Sequence, residues 1–414
     1  MSRYRRAVES PTRFRQDRLR VLGAMAPTPL VPALIPVNYM SKRFGMIVTM
    51  IITRRVHYAS AHARRLRMLA LGSSVLTLGA CVADTRAASR NAREVPGAAG
   101  EPYPQMPSVA PIGERIGKYI DVPASARGPA IDPAKGYRVQ DLGGGLYMVT
   151  DNAYQSMLLL YDKGVVVIDA PPAYSARLPQ AIAEVTSKPI THVIYSHSHI
   201  DHIGGTKALG GQPVIIAHDE TARLLKRASD PNRPLPTVTF ADRYTLRVGT
   251  QVLELSYHGN AHEPGNIFIY APAQRVLMVV DVVFPGWMPW RRFALAQDIP
   301  GYFAQVEEIR TLEWDTLVGG HVARTGTRAD VEAQAEFNGD VKQAATTALA
   351  TTKPGAGLNP LDAANPWAGF DNYIDRVAAQ CVNTLTPKWS ARLAAFDVFV
   401  WDQCYAMEQS LRIE

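Results

Sequence analysis

Apolar positions between residues 137 and 318 alternate with polar ones or form short runs, a pattern typical of β-strands. Strands are predicted at 137–151 (a hairpin), 156–169 (two strands), 189–196, 214–217, 238–257 (two or three strands), 267–270, 276–280 and 316–318. Helical spacing interrupts them at 174–186, after 217 and at 299–312. Strands with interspersed helices predict an α/β fold, in which two sheets pack together and helices cover their outer faces.

The pattern becomes mostly helical after residue 327. Three helices are predicted, at 330–347, 370–385 and 388–411. We therefore divide the folded part into a strand-rich domain, 136–327, and a C-terminal helical region, 328–414.

Four potential metal ligands lie within the six residues His197-Ser198-His199-Ile200-Asp201-His202. Histidine and aspartate are poor choices for an apolar interior unless they are paired or bound. Alternate residues of an extended segment point the same way, so His197 and His199 are predicted to bind one ion together. Asp201 and His202 follow and are predicted to reach a second ion. Imidazole and carboxylate without thiolate suit zinc, iron or manganese.

Three further candidate ligands lie downstream, each at or just beyond the end of an apolar run. They are His262 before Pro264-Gly265, Asp281 after Val279-Val280, and His321 after Gly319-Gly320. A catalytic zinc ion needs about three protein ligands and one open position. Two ions therefore need roughly six ligands and a bridging group, and strand-end loops of a rigid scaffold are where such sites are usually built.

These motifs, in this order, resemble those of the metallo-β-lactamase superfamily of metallohydrolases over roughly residues 138–325. The resemblance implies an αβ/βα four-layer sandwich as the catalytic domain. It also implies two zinc ions per chain, bridged by Asp281, and a metal-bound hydroxide that attacks the substrate, with Asp281 and Asp201 as the catalytic carboxylates. The implied ligands are His197, His199 and His262 for the first ion and Asp201, His202 and His321 for the second.

The substrate is less well defined by the resemblance than the metal site. A bridging aspartate is typical of the glyoxalase II, lactonase and phosphodiesterase branches, whereas the β-lactamases generally have Cys or Ser in place of Asp281. Ser196-His197-Ser198-His199 departs from the glyoxalase II motif, and no basic residues mark a glutathione pocket. The resemblance implies a small-molecule hydrolase that cleaves an ester, thioester, lactone or β-lactam.

Other reactions remain as alternatives. One is an iron-dependent oxidoreductase similar to the persulfide dioxygenases, although those enzymes use one iron and this chain has seven candidate ligands. Flavodiiron proteins generally have Glu at the place of His199. Hydrolysis of phosphodiesters or sulfates is a third possibility, and a binding protein without activity is a fourth.

Several residues near the motifs have a structural interpretation. We interpret His192 as a packed or surface residue, His218 as orienting the next helix, and Asp169 as support for the site. His258 is close enough in sequence to assist a ligand. A cluster rich in aromatic residues forms either a rim of the pocket or core contacts with the C-terminal helices; it consists of Trp287, Met288, Trp290 and Phe293.

Charge is unevenly distributed along the chain. Residues 1–80 contain 14 Lys or Arg and two acidic residues, a net +12, whereas the remainder holds 30 basic and 35 acidic residues, a net −5. The folded part is therefore mildly acidic, and we expect no nucleic-acid binding.

The basic N-terminal part contains a signal-like segment. Arg64–Arg67, an apolar run from Met68 to Ala80 and Leu78-Gly79-Ala80-Cys81 resemble a bacterial lipoprotein signal. Residues 1–81 are predicted to be a leader, with Cys81 as the lipid anchor on the periplasmic face of a membrane; the alternative is an ordinary signal for a soluble periplasmic protein. Because signals usually span about 15–30 residues, residues 1–45 are interpreted as an untranslated extension.

Residues 82–135 are rich in Ala, Pro, Gly and Ser and predict a flexible tether. With Cys81 lipidated, two cysteines remain, Cys381 and Cys404, on neighbouring predicted helices. An exported location is oxidising, so we predict a disulfide between them. The alternative is two buried free thiols.

Overall fold

The structure is a computed structural model that describes residues 119–355 and 364–414. Two sheets form the centre of the fold. The first has seven strands in the order β1 to β7: β1 (Arg138–Gly143), β2 (Leu146–Thr150), β3 (Gln155–Leu160), β4 (Val165–Ile168), β5 (Ile190–Ile194), β6 (Val214–His218) and β7 (Val238–Phe240). The second has the order β12-β11-β10-β9-β8, with β8 (Arg243–Val248), β9 (Gln251–Tyr257), β10 (Ile267–Ala271), β11 (Val276–Val279) and β12 (Thr316–Val318).

Strand direction brings several strand ends to one edge of the fold. Strands β1 to β4 form an antiparallel meander, and β4 to β7 run parallel to one another. In the second sheet β8 to β11 are antiparallel, while β11 and β12 are parallel. Parallel neighbours end at the same edge, so loops that follow them meet there.

Eight helical segments accompany the sheets in the described part of the chain. They are α1 (Leu178–Ala183), α2 (Ile200–Ile203), α3 (Asp219–Ala228), α4 (Arg291–Leu295), α5 (Ile299–Thr311), α6 (Arg328–Thr351), α7 (Pro366–Trp389) and α8 (Phe396–Ile413). None of them has the length and apolar character needed to span a bilayer. The last helix begins at Phe396, so the prediction that it begins at Lys388 was wrong.

Three apolar clusters define four layers. Leu146, Ile216 and Met278 belong to the cluster between the two sheets. Leu178 and Leu225 place α1 and α3 on the outer face of the first sheet. Val306, Phe337 and Trp389 place the helices α5 to α7 in a cluster that covers the second sheet. This is the predicted αβ/βα sandwich with a C-terminal helical region, and the fold prediction is confirmed.

The helical region is fastened internally and to the sandwich. Cys381 of α7 and Cys404 of α8 form a disulfide, with Cα atoms 5.8 Å apart, which confirms the predicted pair. Asp330 closes a capping box with Thr327 at the start of α6 and pairs with Arg324 at 2.7 Å. These contacts hold the first turn of α6 against the loop that leaves the second sheet.

Part of the segment assigned to the tether packs on the domain. Ala126 is buried, and its carbonyl accepts a hydrogen bond from the indole of Trp287 at 2.9 Å. The carbonyl of Ser125 accepts one from Arg324, and the amide of Ile120 donates to Asp397 of α8. The predicted leader, its Cys81 anchor and tether residues 82–118 lie outside the described residues and stay predictions.

Candidate metal centre

The seven predicted ligands come from loops and turns at the ends of strands in both sheets. His197 and His199 follow β5, and Asp201 and His202 lie in the short helix α2. His262 follows β9, Asp281 follows β11, and His321 follows β12. The structure brings these residues together into two groups: His197, His199, His262 and Asp281 form one, and Asp201, His202 and His321 form the other. Within each group the candidate donor atoms lie within 4.8 Å of one another.

Asp281 is the point at which the two groups meet. Its carboxylate Oδ2 lies 3.4 Å from Nε2 of His197, 3.2 Å from Nε2 of His262 and 3.1 Å from Nε2 of His202. Its Oδ1 lies 3.0 Å from Nε2 of His321. One carboxylate therefore faces imidazoles of both groups, which is the placement expected of a bridging ligand.

In the first group the histidines present different nitrogen atoms. Nδ1 of His199 lies 2.9 Å from Nε2 of His262. His197 offers Nε2, which is buried and has no hydrogen-bond partner, while its Nδ1 is paired with the hydroxyl of Ser196 at 2.9 Å. A buried, unpaired ring nitrogen is costly unless something binds it.

In the second group Nε2 of His202 lies 3.0 Å from Nε2 of His321. Oδ2 of Asp201 is 3.6 Å from the former nitrogen and 3.8 Å from the latter. The Asp201 side chain is 41% exposed, whereas that of His202 is fully buried. Asp201 is thus the ligand candidate most accessible to a substrate.

The charges of the cluster depend on one another. Burial opposes ionisation of Asp281, but His202, His321 and His262 outweigh it and hold the pKa of this carboxyl well below its usual range. Burial also disfavours the charged form of His202, yet Asp281 and Asp201 raise its pKa to about 9. Burial and the neighbouring imidazoles keep the pKa of His197 well below its usual value. A cation bound here would displace protons from such imidazoles.

Local backbone conformation points the ligands inward. Asp281 has a left-handed φ of 64° and its amide donates to the carbonyl of Gly319, a conformation that costs a non-glycine residue about 1–3 kcal/mol. The buried side chain of Asn266 donates to the carbonyl of Val280 and secures the preceding residue. Gly320 has φ 82° and no room for a Cβ beside Val280, which explains a glycine directly before His321.

Asp169 has the supporting position that we expected. It is fully buried, and its Oδ1 accepts a hydrogen bond from the amide of Ser196, directly before His197. Burial raises the pKa of Asp169 to about 6. Its contact fixes the backbone from which the first two histidine ligands project.

Glu263 is a site residue that sequence reasoning missed. Its carboxylate lies 3.1 Å from Nε2 of His199 and accepts a hydrogen bond from the amide of Ser198 at 2.6 Å. Burial alone would raise its pKa, but these hydrogen bonds hold the pKa of Glu263 below its usual value. A carboxylate behind a ligand histidine fixes the tautomer, so that the other nitrogen, here Nδ1, is free to bind metal. The signal was a single Glu beside His262, which has no periodicity to mark it.

Replacing this carboxylate tests its positioning role. Glu263→Gln should lower zinc affinity by about 10- to 100-fold, because an amide holds the His199 tautomer less firmly. Competition with a chromophoric chelator measures the affinity. Glu308→Gln is a matched control, since Glu308 pairs with His258 at 2.6 Å outside the ligand cluster. Equal zinc affinity in the Glu263→Gln variant and the unaltered protein would remove the role.

The other histidines do not join the cluster. Nδ1 of His218 accepts from the amide of Glu220 and caps α3, so the prediction that His218 orients this helix is confirmed. His258 is held by Ser256 and Glu308. His192 is half-buried on β5, with Nδ1 paired to Thr191.

A cavity of about 660 Å³ opens beside the metal ligands. Trp287, Met288 and Trp290 line it, as the rim interpretation expects, whereas Phe293 is fully buried in the core. Phe399 of α8 also lines the cavity, so the C-terminal region contributes to the site. No sequence pattern had linked that residue to the ligands.

The donor set fits a pair of divalent cations. Two groups of nitrogen and oxygen donors share one carboxylate, and a buried Nε2 of His197 lacks any other partner. Imidazole with carboxylate suits zinc or iron.

Comparison with known proteins agrees with this geometry. The sequence model of the family described as "Metallo-beta-lactamase superfamily" matches residues 149–321, a range that contains all seven candidate ligands. Residues 149–321 therefore form a metallo-β-lactamase superfamily domain.

Particular relatives differ in their activities. The chain is 25% identical over 287 residues to 2,4-dinitroanisole O-demethylase subunit alpha of Nocardioides sp. (strain JS1661), covering 68% of this chain and 80% of that protein. It is 32% identical over 129 residues to metallo-beta-lactamase type 2 of Bacillus sp. (strain 170), covering 29% of this chain and 47% of the relative. It is 27% identical over 178 residues to hydroxyacylglutathione hydrolase of Prochlorococcus marinus (strain MIT 9301), covering 42% and 65%.

Among solved structures, a metallo-beta-lactamase from Pontibacter korlensis is 20% identical, with a TM-score of 0.43. That match covers 49% of this chain and 99% of the other.

Proposed function

We propose that this protein is a zinc-dependent hydrolase with two zinc ions, which cleaves an ester, thioester, lactone or β-lactam. The observation that carries the proposal is the position of Asp281, whose two carboxylate oxygens face imidazoles of both ligand groups. When bound, such ions lower the pKa of a coordinated water toward about 7 and polarise a carbonyl group. A bridging aspartate favours the glyoxalase II- and lactonase-like branches over the β-lactamases.

The residues of this chain would divide the work. Asp281 holds both groups of ligands together, and Glu263 orients His199. Asp201, which is accessible from the cavity, would orient the attacking group. The walls of the cavity would exclude water from the bound substrate.

Metal analysis combined with substrate assays tests this function. We expect about two zinc ions per folded chain, as the ligand count supports, and hydrolysis that proceeds equally well without oxygen. The measurements are elemental analysis of protein matured in its own host and chromogenic assays with ester, lactone, thioester and β-lactam substrates. One iron without zinc, together with oxygen-dependent turnover, would establish the oxidoreductase alternative instead.

The O-demethylase relative adds a second candidate reaction, cleavage of an aryl methyl ether. It is favoured by the extent of that match, which reaches beyond the residues of the superfamily domain. The same assays should therefore include 2,4-dinitroanisole, with release of 2,4-dinitrophenol as the readout.

A further inference from the structure

The cavity beside the metal ligands has an unusual balance of side chains for a site that hydrolyses small molecules. Apart from the ligands, its lining within the described residues is apolar or aromatic except for Asn152 and the phenol of Tyr154. No lysine or arginine of the described chain lines it. An anionic group held in this cavity would therefore lack a partner of opposite charge.

The arginines close to the cavity wall in sequence are engaged elsewhere. Arg291 pairs with Asp402 of α8 at 2.9 Å. Arg324 pairs with Asp330 at 2.7 Å and donates to the carbonyl of Ser125. Arg292 is exposed, and its side chain is not among those that line the cavity.

The aromatic walls present ring faces rather than hydrogen-bonding groups. The indole nitrogen of Trp287 is already satisfied by the carbonyl of Ala126. Phe284 stacks on the ligand candidate His321, with ring centroids 5.8 Å apart, and Tyr154 contacts the same imidazole at 4.8 Å. These rings lead from the ligands into the cavity, and a planar apolar group would pack between them.

The mouth of the cavity is apolar as well. Ile200, Trp290 and Leu295 all line it, and their exposed fractions are 56%, 47% and 43%. Large exposed apolar side chains that surround a pocket mark a surface that contacts an apolar ligand. The route to the metal ligands thus favours molecules that shed water readily.

We propose that the substrate is an uncharged molecule whose part remote from the scissile bond is aromatic. This inference rests on the proposed hydrolytic function and narrows it. The scissile group lies at the metal ligands, and the arene occupies the cavity between Trp287 and Phe399. Substrates with a remote carboxylate or sulfonate, including glutathione thioesters and β-lactams with a carboxylate, are disfavoured, because the cavity removes water from the anion without supplying a counter-charge.

A matched pair of esters tests the proposal. The zinc-loaded protein is assayed with 2-naphthyl acetate and with 6-sulfo-2-naphthyl acetate, which share the acyl group and the ring system. Each kcat/KM is normalised to the alkaline hydrolysis rate of the same ester. We expect the neutral ester to be preferred by about a hundredfold or more. Equal values, or a preference for the sulfonate, would overturn the proposal.

Binding supplies a readout that does not depend on turnover. Calorimetry on the same protein compares 2-naphthol with 6-hydroxynaphthalene-2-sulfonate, and we expect only the neutral naphthol to bind measurably. If neither ester is hydrolysed while naphthol still binds selectively, the hydrolytic function fails and the cavity assignment holds. If both esters are hydrolysed but the sulfonate binds as tightly as naphthol, the cavity assignment fails and the hydrolytic function holds.

Placing a positive charge in the cavity wall should reverse the selectivity. Phe399→Arg and Leu295→Arg are each expected to reduce the preference for the neutral ester by about tenfold, because they supply the missing counter-charge. Trp367→Arg is the matched control, since Trp367 is 78% exposed and does not line the cavity. Leu295 is partly exposed, so its variant keeps the test valid if Phe399→Arg does not fold. An unchanged preference in folded Leu295→Arg would contradict the assignment, as would anion acceptance that is lost in Arg292→Ala.

Discussion

Asp281→Ala is expected to lose most bound zinc and to lower kcat/KM by more than about a hundredfold, whereas Asp281→Cys should retain more of both. The carboxylate of Asp281 faces imidazoles of both ligand groups, so its removal affects both ions at once. A residue that only supports a ligand already contributes about 10- to 100-fold to affinity. Cysteine can still ligate zinc through its thiolate. Zinc content after dialysis and kcat/KM on a neutral ester measure the difference.

Asp315→Ala provides the control for this comparison. Asp315 is exposed and pairs with Arg275 at 2.8 Å, in the loop before β12. Its variant should keep its zinc and its activity. If the alanine and cysteine variants of Asp281 had equal zinc content and equal activity, Asp281 would not bridge the ions.

The double variant Cys381→Ser/Cys404→Ser is expected to unfold with a free energy about 3 kcal/mol lower than that of the oxidised protein. The cysteines are 23 residues apart in sequence, and a cross-link over such a loop restricts the unfolded chain by about that amount. Urea denaturation, with and without dithiothreitol, measures the difference.

Reduction provides the internal control for the disulfide. Dithiothreitol should lower the stability of the unaltered protein to that of the double variant and leave the double variant unchanged. A stability of the unaltered protein that does not respond to the reductant would mean that the disulfide contributes nothing. Zinc content should not change in either case, because all seven candidate ligands precede α6.

Most strands were predictable because their pattern is local. The alternation around Gly143-Gly144-Gly145 and the apolar run at Val276–Val279 each carry their own turn signals, and both form strands. The start of α8 was not predictable in the same way, because residues 390–395 contain no helix breaker. The chain turns there through Ala395, with φ 58°, and the amide of Ala394 donates to the carbonyl of Gly286 in the sandwich. A tertiary contact overrides the local preference.

The metal centre shows the same division between local and distant information. His197 to His202 are recognisable from their spacing, and the structure places all four candidates at one site. Glu263 and Phe399 carry no such pattern, since a carboxylate behind a histidine and an aromatic ring in a wall become visible only when distant segments meet. The predicted ion identity, the export signal and the lipid anchor depend on features outside this geometry and stay predictions.

The wall of the cavity is held by the C-terminal helices rather than by the sandwich alone. Gln403 of α8 is fully buried, accepts a hydrogen bond from the amide of Phe293 and donates to the carbonyls of Pro289 and Trp290. The next residue, Cys404, is fixed to α7 by the disulfide. Substrate preference and bond-breaking chemistry are therefore encoded in separate stretches of the gene. Mutation of the tail can change what the enzyme accepts while the metal chemistry is inherited intact, which makes the last 30 or so codons a promising region for a library aimed at new substrates.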